Sequence, residues 1–217
     1  MTLAHLRDRW LRSTTSALQD DPAVVGAALV GSLGAGRGDE WSDVDLLVVV
    51  EGSQHPALPG KPVFAIDARH NGPRGTRAIS AQYVVDGLPL WVDWHLHPIS
   101  HAAWPSDSKL LFEHCPVART PATFTAYLNT GEREPATPKT PAEEQAMRLA
   151  LIPIAAKQIA RHDPEAARTI TFLGGPPVGD QDRPAQLAAL HQLLDTFESL
   201  HTESLAAARA YLALLET

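Results

Sequence analysis

The sequence predicts an α/β (α+β) domain with a mixed sheet, followed by a C-terminal helical bundle. Three observations lead there. Apolar runs of strand length follow one amphipathic helix in the N-terminal part. Asp86-Gly87, a preferred tight-turn pair, separates two such runs. From residue 129 the chain becomes rich in Pro, Thr and charge, and beyond that in Ala and Leu. The expected division is a domain over residues 1–128, a linker over 129–140 and a bundle over 141–217.

Leu3, Leu6, Trp10, Leu11 and Leu18 recur at roughly helical spacing, so residues 3–19 read as a helix, ended by Asp21-Pro22. Ala23 to Val30 reads as a buried strand, and Gly31-Ser32 opens a turn or short helix. The β-branched run DVDLLVVV (43–50) is a second strand. SQHPALPGKP is a loop, and VFAID is a third strand. Residues 76–98 form the clearest hairpin, turning at Asp86-Gly87. Further on, Thr140-Pro141-Ala142-Glu143 has the capping-box pattern with Pro at the first helical position. Asp163-Pro164 starts another helix, and Asp182 caps the next. Residues 184–215 suit one long helix or two joined near His201, giving a bundle of three or four helices. Pro153 is expected to kink or interrupt the first of them.

The totals exclude several classes. Of the 217 residues, 44% are hydrophobic, and no apolar run reaches the roughly 18 residues of a membrane span. The N-terminus carries charges throughout and lacks the apolar core of a secretory signal. A single cysteine, Cys115, rules out an internal disulfide framework. The expectation is a cytoplasmic protein. Lys plus Arg is 18 and Asp plus Glu is 25, a net charge of −7. This tilts against nucleic acid as a partner and towards cationic small molecules.

The chemistry concentrates in GSLGAGRGDEWSDVDLLVVV, residues 31–50. Asp43 and Asp45 alternate on a strand and face one way. Two neighbouring carboxylates raise each other's proton affinity unless a cation lies between them, and Mg²⁺ takes one or two carboxylates together with substrate phosphates. Gly31-Ser32, at a strand-to-helix junction, exposes backbone N–H groups and a hydroxyl that suit phosphate oxygens. Trp91, Asp93, His95 and His97 share one strand face. HxH is a zinc-ligand spacing; here it reads as histidines beside a site, with His95 lining the pocket. Glu113-His114-Cys115 superficially suggests thiol chemistry, and Cys115 reads instead as a small buried residue.

An apolar strand, Gly31-Ser32, a ten-residue spacer and then Asp43-Val44-Asp45 before an apolar strand resembles the signature of the DNA-polymerase-β-like nucleotidyltransferase superfamily, over Leu29 to Val50. The resemblance implies a third carboxylate on a later strand. Asp93, embedded in LPLWVDWHLHP, matches best, since a charge inside an apolar strand is costly unless paired or metal-bound. Asp67 in FAIDAR is its competitor. By resemblance, Asp43, Asp45 and Asp93 hold two Mg²⁺ ions and are the catalytic residues. Gly31, Ser32 and Arg37 meet the phosphates of ATP or another nucleoside triphosphate. The spacer departs from the family's commoner Ala-Arg-Gly form, so the role of Arg37 rests on its position alone.

The layout of a small α/β domain plus a helical bundle looks like the aminoglycoside and lincosamide nucleotidyltransferases. That implies transfer of AMP to a hydroxyl of a small molecule, an aminoglycoside-type antibiotic, and hence antibiotic resistance. An acidic chain suits a polycation. Glu143, Glu144, Asp163, Glu165, Asp195, Glu198 and Glu203 are the bundle carboxylates available to orient an acceptor or act as base. The alternatives are a minimal nucleotidyltransferase antitoxin acting on a partner protein, a non-catalytic nucleotide-binding protein and, least favoured, a polymerase. The sequence leaves a homodimer open.

Overall fold

The computed structural model describes residues 2–52, 56–197 and 202–216. The chain divides into two units: residues 1–83 with 90–137, and residues 84–89 with 138–217.

The first unit opens with helix α1 (Leu3–Gln19), capped by the Thr2 hydroxyl on the His5 N–H. Strand β1 (Val24–Leu29) is buried along its whole length and leads into the one-turn helix α2 (Gly31–Gly34). The remaining strands are β2 (Val44–Val50), β3 (Phe64–Asp67), β4 (Arg77–Val85), β5 (Leu88–Pro98), β6 (Ala103–Trp104), β7 (Lys109–Glu113) and β8 (Ala118–Arg119). A short helix, α3 (Phe124–Leu128), ends the series. Six strands form one sheet in the order β3-β4-β5-β2-β1-β7, while β6 and β8 pair separately. The large sheet is mixed: β2 and β5 are parallel, and β1 is antiparallel to both β2 and β7. Asp86 (φ 51°) and Gly87 (φ 79°) both adopt positive φ, as a two-residue hairpin turn between β4 and β5 requires.

Alternation sorts the two faces of this sheet. Leu46, Val48, Trp94 and Leu96 are wholly buried and face α1, whose Trp10 sets its ring edge-on to Trp94 at 6.1 Å. Leu6 and Leu18 of α1 are buried as well. The other face carries Leu47 and Val49, which pack with Trp104, Val117, Phe124 and Tyr127. Burying each large side chain contributes about 1.5–3 kcal/mol.

The start of the expected linker is tied to the first unit. Arg74 N–H donates to the Glu132 carbonyl at 2.7 Å, its guanidinium reaches the Glu132 carboxylate at 3.1 Å, and Pro73 bridges to Arg133. One expectation is corrected here. Cys115 is exposed, because it lies in the loop after β7 rather than in a strand. Its neighbour Glu113 is structural: it accepts the Trp104 indole N–H at 2.7 Å and the Val117 N–H at 2.9 Å.

The second unit contains α4 (Pro141–Ala160), α5 (Glu165–Phe172), α6 (Arg183–Asp195) and α7 (Thr202–Ala213). The Thr140–Glu143 capping box forms in both directions. Pro153 does not interrupt α4, which runs on to Ala160. Buried Leu149, Ile152, Ala156 and Ile159 on either side hold the helix through the lost hydrogen bond. Asp163 accepts the Glu165 N–H at 2.9 Å, and Asp182 caps α6 on Ala185. Residues 184–215 are two helices; their expected junction at His201, like Glu198, lies outside the described residues. No helix among the described residues is long and apolar enough to cross a membrane.

Candidate active site

The parallel pairing of β2 and β5 sets Asp45 directly beside Asp93 and continues as Leu47 beside His95 and Val49 beside His97. These side chains share the face opposite α1. Asp45 and Asp93 are half-buried, whereas the intervening Val44 and Val92 are fully buried on the other side. Both carboxylates line a cavity of about 320 Å³ whose other walls include Ser80, Trp91, His95, Phe124 and Leu128.

Each carboxylate is held differently. At the end of β1 the Val30 N–H donates to the Asp45 carbonyl at 3.0 Å, so the following Gly31 lies against the Asp45 side chain. A Cβ at Gly31 would fall 2.3 Å from Asp45 Oδ2, and its φ of +61° is one that other residues resist. Asp93 receives Ser80 Oγ–H on Oδ1 at 2.5 Å and the Trp91 indole N–H on Oδ2 at 3.1 Å. Trp91 in turn stacks on Phe64 at 6.2 Å. Asp43 sits one residue before β2, half-buried, and does not line the cavity.

The Gly31-Ser32 junction is present, with Ser32 half-buried in the first turn of α2, whose leading N–H groups have no intrahelical acceptor. Arg37 is exposed. Its backbone N–H closes on the Ser32 carbonyl at 2.9 Å, but its side chain lies outside the cavity. Asp67 opens on a different cavity, beside Arg77. It is ion-paired with Arg69, whose hydrogen bond holds its carboxyl below the usual carboxylate range. The geometry therefore brings together Asp45, Asp93 and Gly31, keeps Asp43 at the strand entrance, and separates Asp67.

Below Asp93 the face becomes buried and neutral. Burial pushes His95 down to about 4; Phe124 lies edge-on to it at 4.9 Å, and its Nδ1 has no hydrogen-bond partner. His97 is pushed to about 3, first by burial and then by His95 and His101. The Tyr127 hydroxyl donates to the His101 carbonyl (3.0 Å) and accepts from the Ala103 N–H (3.2 Å). It has one proton to give, so His97 Nδ1, 2.9 Å away, is the donor in their hydrogen bond. This network pins α3 against the sheet beside the cavity.

The donor chemistry suits Mg²⁺: hard carboxylate oxygens on adjacent strands, with glycine in place of a side chain against one of them. Among the described residues no group of three or more metal-binding side chains converges on one point. A pair of carboxylates is what Mg²⁺ commonly takes when substrate phosphates supply the rest of its shell.

Residues 11–117, from the middle of α1 to the segment before β8, match the nucleotidyltransferase domain family. The chain carries a nucleotidyltransferase domain. No curated protein matches the chain. The matched segment holds Gly31, Ser32, Asp43, Asp45 and Asp93 together with Ser80 and Trp91. Ser80 was legible in principle: a two-residue turn at 86–87 sets residue 80 opposite residue 93. Phe124 and Leu128 gave no sequence signal, because a five-residue helix has too few turns to show a period.

Proposed function

We propose that this nucleotidyltransferase moves a nucleoside monophosphate, AMP from ATP, to a hydroxyl of a small molecule, an aminoglycoside-type antibiotic. The observation that carries the reading is the Asp45–Asp93 pair, side by side on neighbouring strands in one cavity, with Gly31 against Asp45. In this reading the acceptor oxygen bonds to the α-phosphorus, the bond to the β-phosphate oxygen breaks, and pyrophosphate leaves with the hydroxyl proton passed to base. Asp43, Asp45 and Asp93 would hold Mg²⁺. Bound there, Mg²⁺ supplies charge neutralisation of the triphosphate and acidifies the acceptor hydroxyl.

The chain's own groups position the reactants. Ser80 and Trp91 fix the rotamer of Asp93 from both oxygens, aiming it at the acceptor. Ser32 and the N–H groups of the first turn of α2 face phosphate oxygens, and Arg37 adds a guanidinium from the exposed spacer. A cavity of about 320 Å³ suits one ring of a small acceptor. The net charge of −7 favours the approach of a polycation. The test is mass spectrometry of an aminoglycoside and lincosamide panel incubated with protein, ATP and Mg²⁺. Gain of one adenylyl group on an aminoglycoside is expected. No modified member of the panel, with pyrophosphate still released in cell extract, would refute the acceptor class.

A further inference from the structure

Arg7, in the first unit, is a buried guanidinium, 8% exposed. A long cation on a surface helix ordinarily reaches water. Here Nη1 instead donates to two backbone carbonyls, Asp39 at 2.7 Å and Ser42 at 3.1 Å. Its carboxylate neighbour Asp8 is 3.7 Å from Nε, beyond hydrogen-bond length, and its side chain is 56% exposed. Nε has no hydrogen-bond partner. Desolvating a charge onto two neutral carbonyls is a poor source of net stability. What the arrangement provides is geometry.

The two carbonyls bracket a tight turn. Asp39 N–H donates to Ser42 Oγ at 2.9 Å, Ser42 Oγ–H returns to Asp39 Oδ1 at 2.9 Å, and Trp41 N–H reaches the same Oδ1 at 3.0 Å. The Ser42 carbonyl belongs to the peptide plane that enters Asp43. Strand pairing begins only at Val44, opposite Val92, so β-ladder hydrogen bonds do not fix that plane. Buried Val44 anchors Asp43 on one side, and Arg7 anchors it on the other.

We propose that Arg7 is a positioning residue for nucleotidyl transfer: from α1, across the sheet from the cavity, it fixes the Ser42–Asp43 peptide plane and so aims the Asp43 carboxylate. This rests on the reading of Asp43 as a ligand of the divalent ion. The test compares wild type, Arg7→Met, Arg7→Lys and Asp43→Asn by thermal melting, by Mn²⁺ titration with nucleotide followed by electron paramagnetic resonance, and by steady-state kinetics. Arg7→Met is expected to melt cooperatively and to bind Mn²⁺ about tenfold more weakly. Its kcat should fall by about a hundredfold, with KM for the nucleotide nearly unchanged. Arg7→Lys, whose ammonium can still reach a carbonyl, recovers part of both losses. Wild-type Mn²⁺ binding and kcat in Arg7→Met would overturn the inference. If Arg7→Met does not fold, amide exchange in Arg7→Lys decides. Faster exchange confined to residues 39–45 supports the role, and unchanged exchange overturns it. A wild type that neither binds Mn²⁺ with nucleotide nor transfers would instead refute the reading of Asp43, and the inference with it; an active wild type with indifferent variants refutes the inference alone.

Discussion

Replacing Gly31 with alanine perturbs the site at its tightest contact. The new methyl would lie 2.3 Å from Asp45 Oδ2 and 2.8 Å from Cγ, whereas real Cβ contacts do not fall below 3.0 Å. The carboxylate must therefore retreat by at least ~0.7 Å, the difference between those two oxygen distances. The three atoms nearest that Cβ all belong to the Asp45 side chain, so the displacement falls first on Asp45. Alanine must also hold φ near +61°, which costs about 1–2 kcal/mol. Together these predict a melting temperature lower by a few degrees and a fall in kcat of about a hundredfold, since misplacement by about 1 Å costs that much. Calorimetry and a pyrophosphate-release assay on the same preparation read both. A Gly31→Ala protein with wild-type kcat would show that the position of Asp45 does not limit the reaction, and the account of the site would fail.

Asp93→Asn should abolish transfer and leave the fold intact, while Asp67→Asn, on a separate cavity, should retain it; the reverse result in a kinetic assay would move the third carboxylate to Asp67. His97 is buried with a value near 3 against an ordinary 6.5, so the unfolded chain binds the proton that the native state rejects. Stability is therefore complete above about pH 6.5 and falls as pH drops towards 3, by up to about 1.4 kcal/mol per pH unit for this ring; urea midpoints at pH 7 and 5 that are the same in wild type would contradict this. Thr140→Ala removes the capping box of α4 and should cost about 1 kcal/mol of the second unit's stability, read by denaturant melts, with an unchanged midpoint counting against the cap.

The parts of this molecule legible in its sequence are those where local chemistry and tertiary structure agree. The hairpin at Asp86-Gly87, the Thr140 box and the strands around Asp45 and Asp93 each follow from residue types at fixed spacing. Continuity of α4 through Pro153 was not legible, because packing by residues far apart in sequence outweighs a local penalty. The exposure of Cys115 follows from a loop whose path is set by Glu113 bonding Trp104, a contact between residues nine apart that no period encodes. Arg7 looks like any cation on an amphipathic helix, and its burial depends on the turn at 39–42 arriving beside it. The strand face from Asp93 to His97 was legible as a face, whereas the partners of His97 and Asp93 required the fold.

The central claim is nucleotidyl transfer at the Asp43, Asp45 and Asp93 carboxylates. Its most direct test is the transfer of label from α-phosphate-labelled ATP to an aminoglycoside, measured with and without Mg²⁺ for wild type and Asp45→Asn. Label moving to the acceptor in wild type only, and only with Mg²⁺, is the predicted result. Label transfer by Asp45→Asn at the wild-type rate would contradict it.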